Sequence, residues 1–268
     1  MERFNHWSGK INSSREWEIE TKKREKEHPY LENTYICKVK YEYFMVLANA
    51  VIDFLENLDI SLFLSINEKH NGFFDQFMYA FSGKVVWVPM YISIVYMMVR
   101  NIVRPQLFYA ILGVVLIVLF ADQVCGGLIR PVVERWRPSN VNSPVYDVVH
   151  IVNGYRGGRY GFPSCHAANT LALATYIMLL FKNRWLTTFL MVWALITCYS
   201  RSYLGVHYPG DLLVGGLVGS IGSFLVYGLL VRYGRYTRPE EMKLSCLPVW
   251  VGGLTVVGML VYAAVKNV

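Results

Sequence analysis

The chain has 268 residues, 54% of them hydrophobic and 15% aromatic, and a formal net charge of +7. A water-soluble domain of this length is rarely so apolar throughout, so an ordinary globular protein is excluded. The positive charge lies in the segments between apolar runs and not on one recognition face, which excludes a nucleic-acid-binding reading.

Residues 1–43 contain "SREWEIETKKREKEHPY", a polar segment of mixed charge without a sustained apolar face. A tail with no catalytic role is expected there, and no stretch fits the length and cleavage pattern of a signal peptide. Residues 44–268 form the expected membrane domain. Its first part, Met45 to Gly83, is apolar but interrupted by Asp53, Glu56, Asp59, Glu68 and Asp75. Leu55, Leu58, Leu62 and Ile66 recur at helical spacing, which predicts one or two amphipathic helices lying in the membrane interface, or a first span starting near Phe44.

Six apolar runs come next: Val85–Val99, Gln106–Cys125, Ala167–Phe181, Trp185–Cys198, Leu212–Val231 and Leu247–Val265. A bilayer core about 30 Å thick takes roughly 20 apolar residues per helix. The expected fold is therefore all-α, a polytopic membrane helix bundle of five to six transmembrane helices with an amphipathic N-terminal segment. Arg100 and Arg104, then Lys182 and Arg184, then Arg232, Arg235, Arg238 and Lys243 mark the loops of one side, which the positive-inside rule assigns to the cytoplasm. The loops Arg130–His166 and Arg201–Asp211 then share the opposite face. Within the fifth run, "GGLVGSIGS" (Gly215 to Ser223) reads as close helix packing. The five cysteines, Cys37, Cys125, Cys165, Cys198 and Cys246, form no CxxC pair and no zinc-like cluster, so neither a disulfide framework nor a metal site is expected.

The two loops on the shared face carry the chemistry. "RPVVERWRP" (Arg130 to Pro138) spaces Arg130 and Arg137 by two helical turns, which puts them on one face of a predicted helix. "GFPSCHAAN" (Gly161 to Asn169) offers Ser164 as the N-cap of the third span with His166 in its first turn, and a helix N-terminus attracts anions. "SRSYLGVHYPGD" (Ser200 to Asp211) adds Arg201, His207 and Asp211, with Pro209 suited to the first helical position. Guanidinium forks match phosphate oxygens. Two histidines and a carboxylate suit covalent phosphoryl transfer, in which one imidazole attacks phosphorus, the carboxylate fixes its tautomer and the other imidazole protonates the leaving oxygen.

"R-x6-RP", "PSCH" and "SR-x5-H-x3-D" together resemble the motifs of the type 2 phosphatidic acid phosphatase family, membrane lipid phosphatases related to vanadium haloperoxidases. The family patterns are K-x6-RP, PSGH and SR-x5-H-x3-D. The third matches in full; Arg130 stands where lysine is usual, and Cys165 where glycine is usual. The resemblance runs from about Asn57 to Val231, and three motifs in order make it specific. It implies His207 as the nucleophile forming a phosphohistidine, Asp211 as its partner, and His166 as general acid and later activator of water. Arg130, Arg137, Arg201, Ser164 and Cys165 would form the phosphate-binding set, with no metal and no cofactor.

The partners implied are a membrane lipid substrate and the bilayer, with no nucleic acid. The implied location is a bacterial cytoplasmic (inner) membrane, multi-pass, with the active site facing the periplasm or outer leaflet. Among lipid phosphates, the "GFPSCHAANT" form looks similar to enzymes of Bacteroidetes-like bacteria, which ranks lipid A first and undecaprenyl pyrophosphate second, ahead of phosphatidylglycerophosphate and phosphatidic acid. A lipid phosphotransferase is the alternative, and a non-catalytic membrane protein would be expected to lack one of the histidines or the aspartate. Arg156 and Arg159, abutting the second motif, are candidate headgroup-binding residues, and Asn169 a candidate second layer behind His166. Arg104 and Arg135 are expected to reach lipid headgroups, and His28, His70 and His150, which have no partner motif, to lie at the surface or interface.

Overall fold

The computed structural model describes residues 29–267, with side chains from Lys40 onward. His28 and the predicted tail up to residue 28 lie outside the described residues. Helix α1 (Pro29–Asn67) begins with a proline and meets no glycine or further proline along its 39 residues, so nothing in the sequence interrupts it. The expected amphipathic segment and residues 29–43 thus belong to one helix. The chain divides into two packing units after Asn57, and the second, residues 58–267, carries all three motifs.

The next helices are α2 (Gly72–Phe81), a 3-10 turn (Val85–Trp87) leading into α3 (Val88–Asn101), α4 (Arg104–Val133), α5 (Cys165–Phe181), α6 (Arg184–Tyr203), α7 (Pro209–Tyr233) and α8 (Leu247–Lys266). Their starts reflect local chemistry. Asn71, Ser164 and Asn183 accept a hydrogen bond from the backbone N–H three residues on. Prolines open α3, α4, α7 and α8, where a missing N–H costs nothing. Toward its end α4 widens into π turns over Gln123–Ile129, just ahead of Pro131, which cannot donate to the preceding turn. No strand occurs among the described residues; Trp136 and Tyr160 form one isolated antiparallel bridge.

All six predicted apolar runs fall inside these helices. By length and composition α4, α7 and α8 can each cross a membrane, and α2 with α3 adds a fourth crossing if the pair, bent by 67°, counts as one. The fold is all-helical with three to four such spans. Helix α5 lies against α4, α6 and α7. Its approach to α7 is backbone to backbone: a Cβ on Gly215 would sit 2.4 Å from the Ser164 carbonyl oxygen, and one on Gly219 2.0 Å from that of Ala168. The small-residue run is thus a packing face, as its spacing suggested. Trp87, Met90, Met97, Trp193 and Tyr176 fill the interior among α3, α5 and α6.

The loop 134–164 departs from expectation. Helix α4 stops at Val133, Glu134 adopts a left-handed conformation (φ 48°), and Arg137 lies outside any helix. Arg130 and Arg137 therefore do not share a helix face. Val132 and Val133 are weak helix formers, and a residue before proline, as Arg137 is, avoids the helical region. The freed chain folds back on itself: Gly161 N–H donates to the Arg135 carbonyl (2.9 Å) and Arg137 Nε to that of Tyr160 (3.0 Å).

Candidate active site

Three segments meet at the start of α7. Arg201, in the last turn of α6, is 2% exposed, and Gly205 (φ 74°) turns the chain in a conformation that glycine tolerates. His207 comes two residues later, its carbonyl fixed by the Ser202 hydroxyl at 3.0 Å. Asp211 sits in the first turn of α7, fully buried, and its Oδ2 accepts from the Tyr208 N–H (3.1 Å) and faces His207 Nδ1 (3.3 Å). A carboxylate here caps the helix and meets its positive end. The Ser164 N–H donates to the Asp211 carbonyl at 2.9 Å, which ties the start of α5 to the start of α7.

Arg137 reaches this pair from the loop. Its Nη1 lies 2.9 Å from His207 Nε2 and 3.1 Å from the Val206 carbonyl. A guanidinium has donors only, so Nε2 must accept, and the ring proton belongs on Nδ1, toward Asp211. Burial first, then Arg137, Arg201 and Arg130, lowers the His207 imidazole well below its ordinary value. The ring is thus neutral, with a lone pair at Nε2. Burial, with Arg201 and Arg130 adding to it, brings Arg137 down to about 10, which leaves it charged at neutral pH.

The second motif closes the site. Ser164 is the predicted N-cap of α5, and His166 occupies its first turn. Arg130 Nη2 donates to the Pro163 carbonyl (2.7 Å) and approaches Cys165 Sγ (3.2 Å), so the two departures from the family motifs face each other. Arg201 binds the Ser82 hydroxyl through Nη1 and the Tyr155 hydroxyl through Nη2 (3.0 Å). The Nε of both Arg130 and Arg201 is buried with no partner among the described residues, so each keeps a donor for a bound anion. His166 and Arg201 share the wall of a cavity of about 430 Å³.

Several residues at the site carried no motif. Arg135, expected at headgroups, instead bridges Asp59 Oδ2 (2.6 Å) and Asp211 Oδ1 (3.0 Å) and lies over the Tyr208 ring. Burial opposes its charge, but Asp211 and Asp59 outweigh that and raise it above its ordinary value. Asp59 also accepts from the Gly210 N–H at 2.7 Å. A Cβ on Gly161 would stand 2.9 Å from Asp211 Oδ2 and 3.2 Å from Arg137 Cγ. Lys84 and Tyr79 line the cavity.

The remaining predicted residues lie around the site or beyond it. Arg156 Nη1 donates to the Ser139 carbonyl (3.0 Å), and Arg159 lies over the Trp136 and Tyr160 rings, so both brace the loop. Asn169 donates to Asp122 on α4 at 2.9 Å. His70 is exposed and His150 half-buried, as expected of surface or interfacial residues; their rings stack at 3.7 Å, and His150 Nε2 meets Asp75 at 3.0 Å.

A neutral imidazole held between a carboxylate and a guanidinium, with the buried Arg201 and the half-buried Arg130 nearby, suits attack on phosphorus. The sequence agrees: the chain matches the PAP2 superfamily over residues 108–235, which include all three motifs, and it belongs to that family. It is 41% identical to a lipid A 4'-phosphatase of Bacteroides thetaiotaomicron, over 81% of this chain and 100% of that one. A lipid A 4'-phosphatase of Porphyromonas gingivalis is 31% identical, over 73% and 80%. The fold is similar to that of a PAP2-type phosphatidylglycerolphosphate phosphatase from Bacillus subtilis, with a TM-score of 0.51 at 20% identity, over 74% of this chain and 96% of that one.

Proposed function

We propose that this PAP2 protein is a lipid phosphatase acting on a sugar-linked phosphate of lipid A, without a metal, through a phosphohistidine on His207. The observation that carries the reading is the pair of contacts on one imidazole, Asp211 at Nδ1 and Arg137 at Nε2. Lipid A is favoured over undecaprenyl pyrophosphate by the relatives at 41% and 31% identity.

The geometry supports the following order of steps. An incoming phosphoryl group takes the Arg137 donors from Nε2 and frees its lone pair. The negative charge of that group favours the protonated form of His166. Nε2 attacks phosphorus, the bond from phosphorus to the leaving oxygen breaks, and protonated His166 gives its proton to that oxygen. His166 then accepts a proton from water as the water attacks phosphorus. The P–N bond breaks, inorganic phosphate leaves, and His207 regains its lone pair. Arg130, Arg137 and Arg201 offset charge on the equatorial oxygens, the task a metal ion performs elsewhere. Ser164 and the α5 N-terminus add neutral donors.

The same reading takes five to six helices across a bacterial cytoplasmic membrane, with α1 in or along the interface and the site toward the outer leaflet. The arginine- and lysine-bearing loops on the other side support that orientation. The test is phosphate release from lipid A, undecaprenyl pyrophosphate, phosphatidylglycerophosphate and phosphatidic acid in detergent with EDTA, beside His207→Ala. Release from lipid A that the variant abolishes supports the reading, and a strict magnesium requirement contradicts it. Release that appears only with an added hydroxyl acceptor identifies a phosphotransferase instead.

A further inference from the structure

Helices α2 and α3 are apolar, and the chain between them bends by 67°. The elbow is polar: Ser82, Gly83 and Lys84. Ser82 accepts from Arg201 Nη1, which fixes the elbow against the site. Lys84 is exposed and has no hydrogen-bond or ion-pair partner among the described residues. Its side chain helps to line the 430 Å³ cavity that His166 and Arg201 also line.

Building on the proposed mechanism, the role of His166 says what this cavity holds. A general acid must touch the leaving oxygen, so a cavity with His166 in its wall receives the leaving group. Small-molecule sites occupy about 300–1,000 Å³, so there is room for more than the phosphate. The walls specify the rest. Tyr79 and Tyr155 meet edge to face, with ring centroids 6.2 Å apart and planes at 82°. The Tyr155 hydroxyl is held by Arg201 Nη2, which fixes that ring. Flat rings with polar edges suit a ligand that is apolar on its faces and hydroxylated around its rim. Lys84 adds three donors and no acceptor.

We propose that the cavity is a leaving-group subsite for a pyranose, with the sugar against Tyr79 and Tyr155 and Lys84 donating to its ring substituents. Lys84 is thereby a specificity-determining residue for sugar-linked phosphates. A polyprenyl diphosphate, whose leaving group is itself a phosphate, gains nothing from the aromatic walls.

The test is calorimetric titration of the full chain in detergent with glucosamine 4-phosphate, glycerol 3-phosphate and methyl diphosphate, on a His207→Gln background so that no probe is turned over. The sugar phosphate should bind about tenfold or more tighter than glycerol phosphate. Lys84→Met and Tyr79→Leu, made separately so that one folding failure does not end the test, should each collapse that ratio. Equal affinities on the background protein, a ratio that survives both variants, or a preference for methyl diphosphate would overturn the subsite. Lipid turnover by the unsubstituted enzyme is scored separately: absent turnover with the ratio intact counts against the proposed function and not against the subsite.

Discussion

Arg137 donates from Nη1 to His207 Nε2 at 2.9 Å, the nitrogen that carries the attacking lone pair in the proposed mechanism. A cation on the nucleophile keeps the ring neutral and in one tautomer, and it stands where phosphoryl oxygens arrive. In the proposed mechanism Arg137 is a placeholder before substrate binds and a phosphate ligand afterwards. Arg137→Lys keeps a charge but loses the planar fork. It should raise KM and lower kcat together, with kcat/KM down by about 10²-fold or more. A variant with unchanged kcat/KM would show that the fork is not used.

Asp211 holds three tasks at once, capping α7, facing His207 Nδ1 and pairing with Arg135. Asp211→Asn keeps size and most hydrogen bonding but removes the charge that would stabilise the Nδ1–H tautomer and the proposed phosphohistidine. Turnover should fall by about 10²–10⁴-fold. Asp211→Ala should in addition cost about 3–5 kcal/mol of stability, because Arg135 and the helix end lose a buried partner. Melting in detergent against phosphate release separates the two effects.

The folded His207 ring stays neutral at pH values where the unfolded chain would bind a proton. Its contribution to stability is complete above the ordinary histidine value of 6.5 and is lost as the pH falls below that toward the much lower folded value. The melting temperature of the enzyme should therefore drop on acidification below about 6.5. His207→Gln, with nothing to titrate there, should drop less. Parallel pH curves for the two proteins would contradict the buried neutral imidazole.

Arg135, at a position the motif leaves open, pairs with Asp211 and is itself held by Asp59. Asp59→Asn leaves the histidines, the phosphate-binding arginines and the cavity in place but loosens the guanidinium that fixes one Asp211 oxygen. The expected result is a drop in kcat with KM little changed, and a shifted pH–rate profile. A merely structural role would lower melting and leave the profile of the folded fraction as it was. Arg135→Lys should keep part of the activity that Arg135→Met loses.

Two glycines give opposite expectations. Gly161→Ala puts a methyl 2.9 Å from Asp211 Oδ2, inside the site, and should remove activity with little change in melting. Gly219→Ala puts one 2.0 Å from the Ala168 carbonyl oxygen, so α5 and α7 must separate. It should cost about 1–3 kcal/mol and lower activity only through folding. Comparing melting with specific activity checks both.

Features that are local in the chain were legible in the sequence. Arg201, His207 and Asp211 lie within one turn-and-helix unit, Ser164 caps the helix that carries His166, and hydrophobic runs mark the helices. Arg135, Asp59 and Lys84 were not legible, because their meaning depends on segments far apart in sequence, and each alone looks like an ordinary charge beside a span. The helix expected through Arg137 failed for a nearer reason: two valines, a left-handed Glu134 and the proline after Arg137 favour extended chain over the helix that a seven-residue spacing suggests.

The phosphohistidine itself is open to a direct test: quench the enzyme during turnover of a ³²P-labelled lipid A and ask where the label is. Attack by His207 predicts an acid-labile, base-stable phosphoenzyme whose label maps to His207 and is absent from His207→Ala. Rapid phosphate release with no such species, or a label that persists in His207→Ala, would contradict a phosphohistidine at this position.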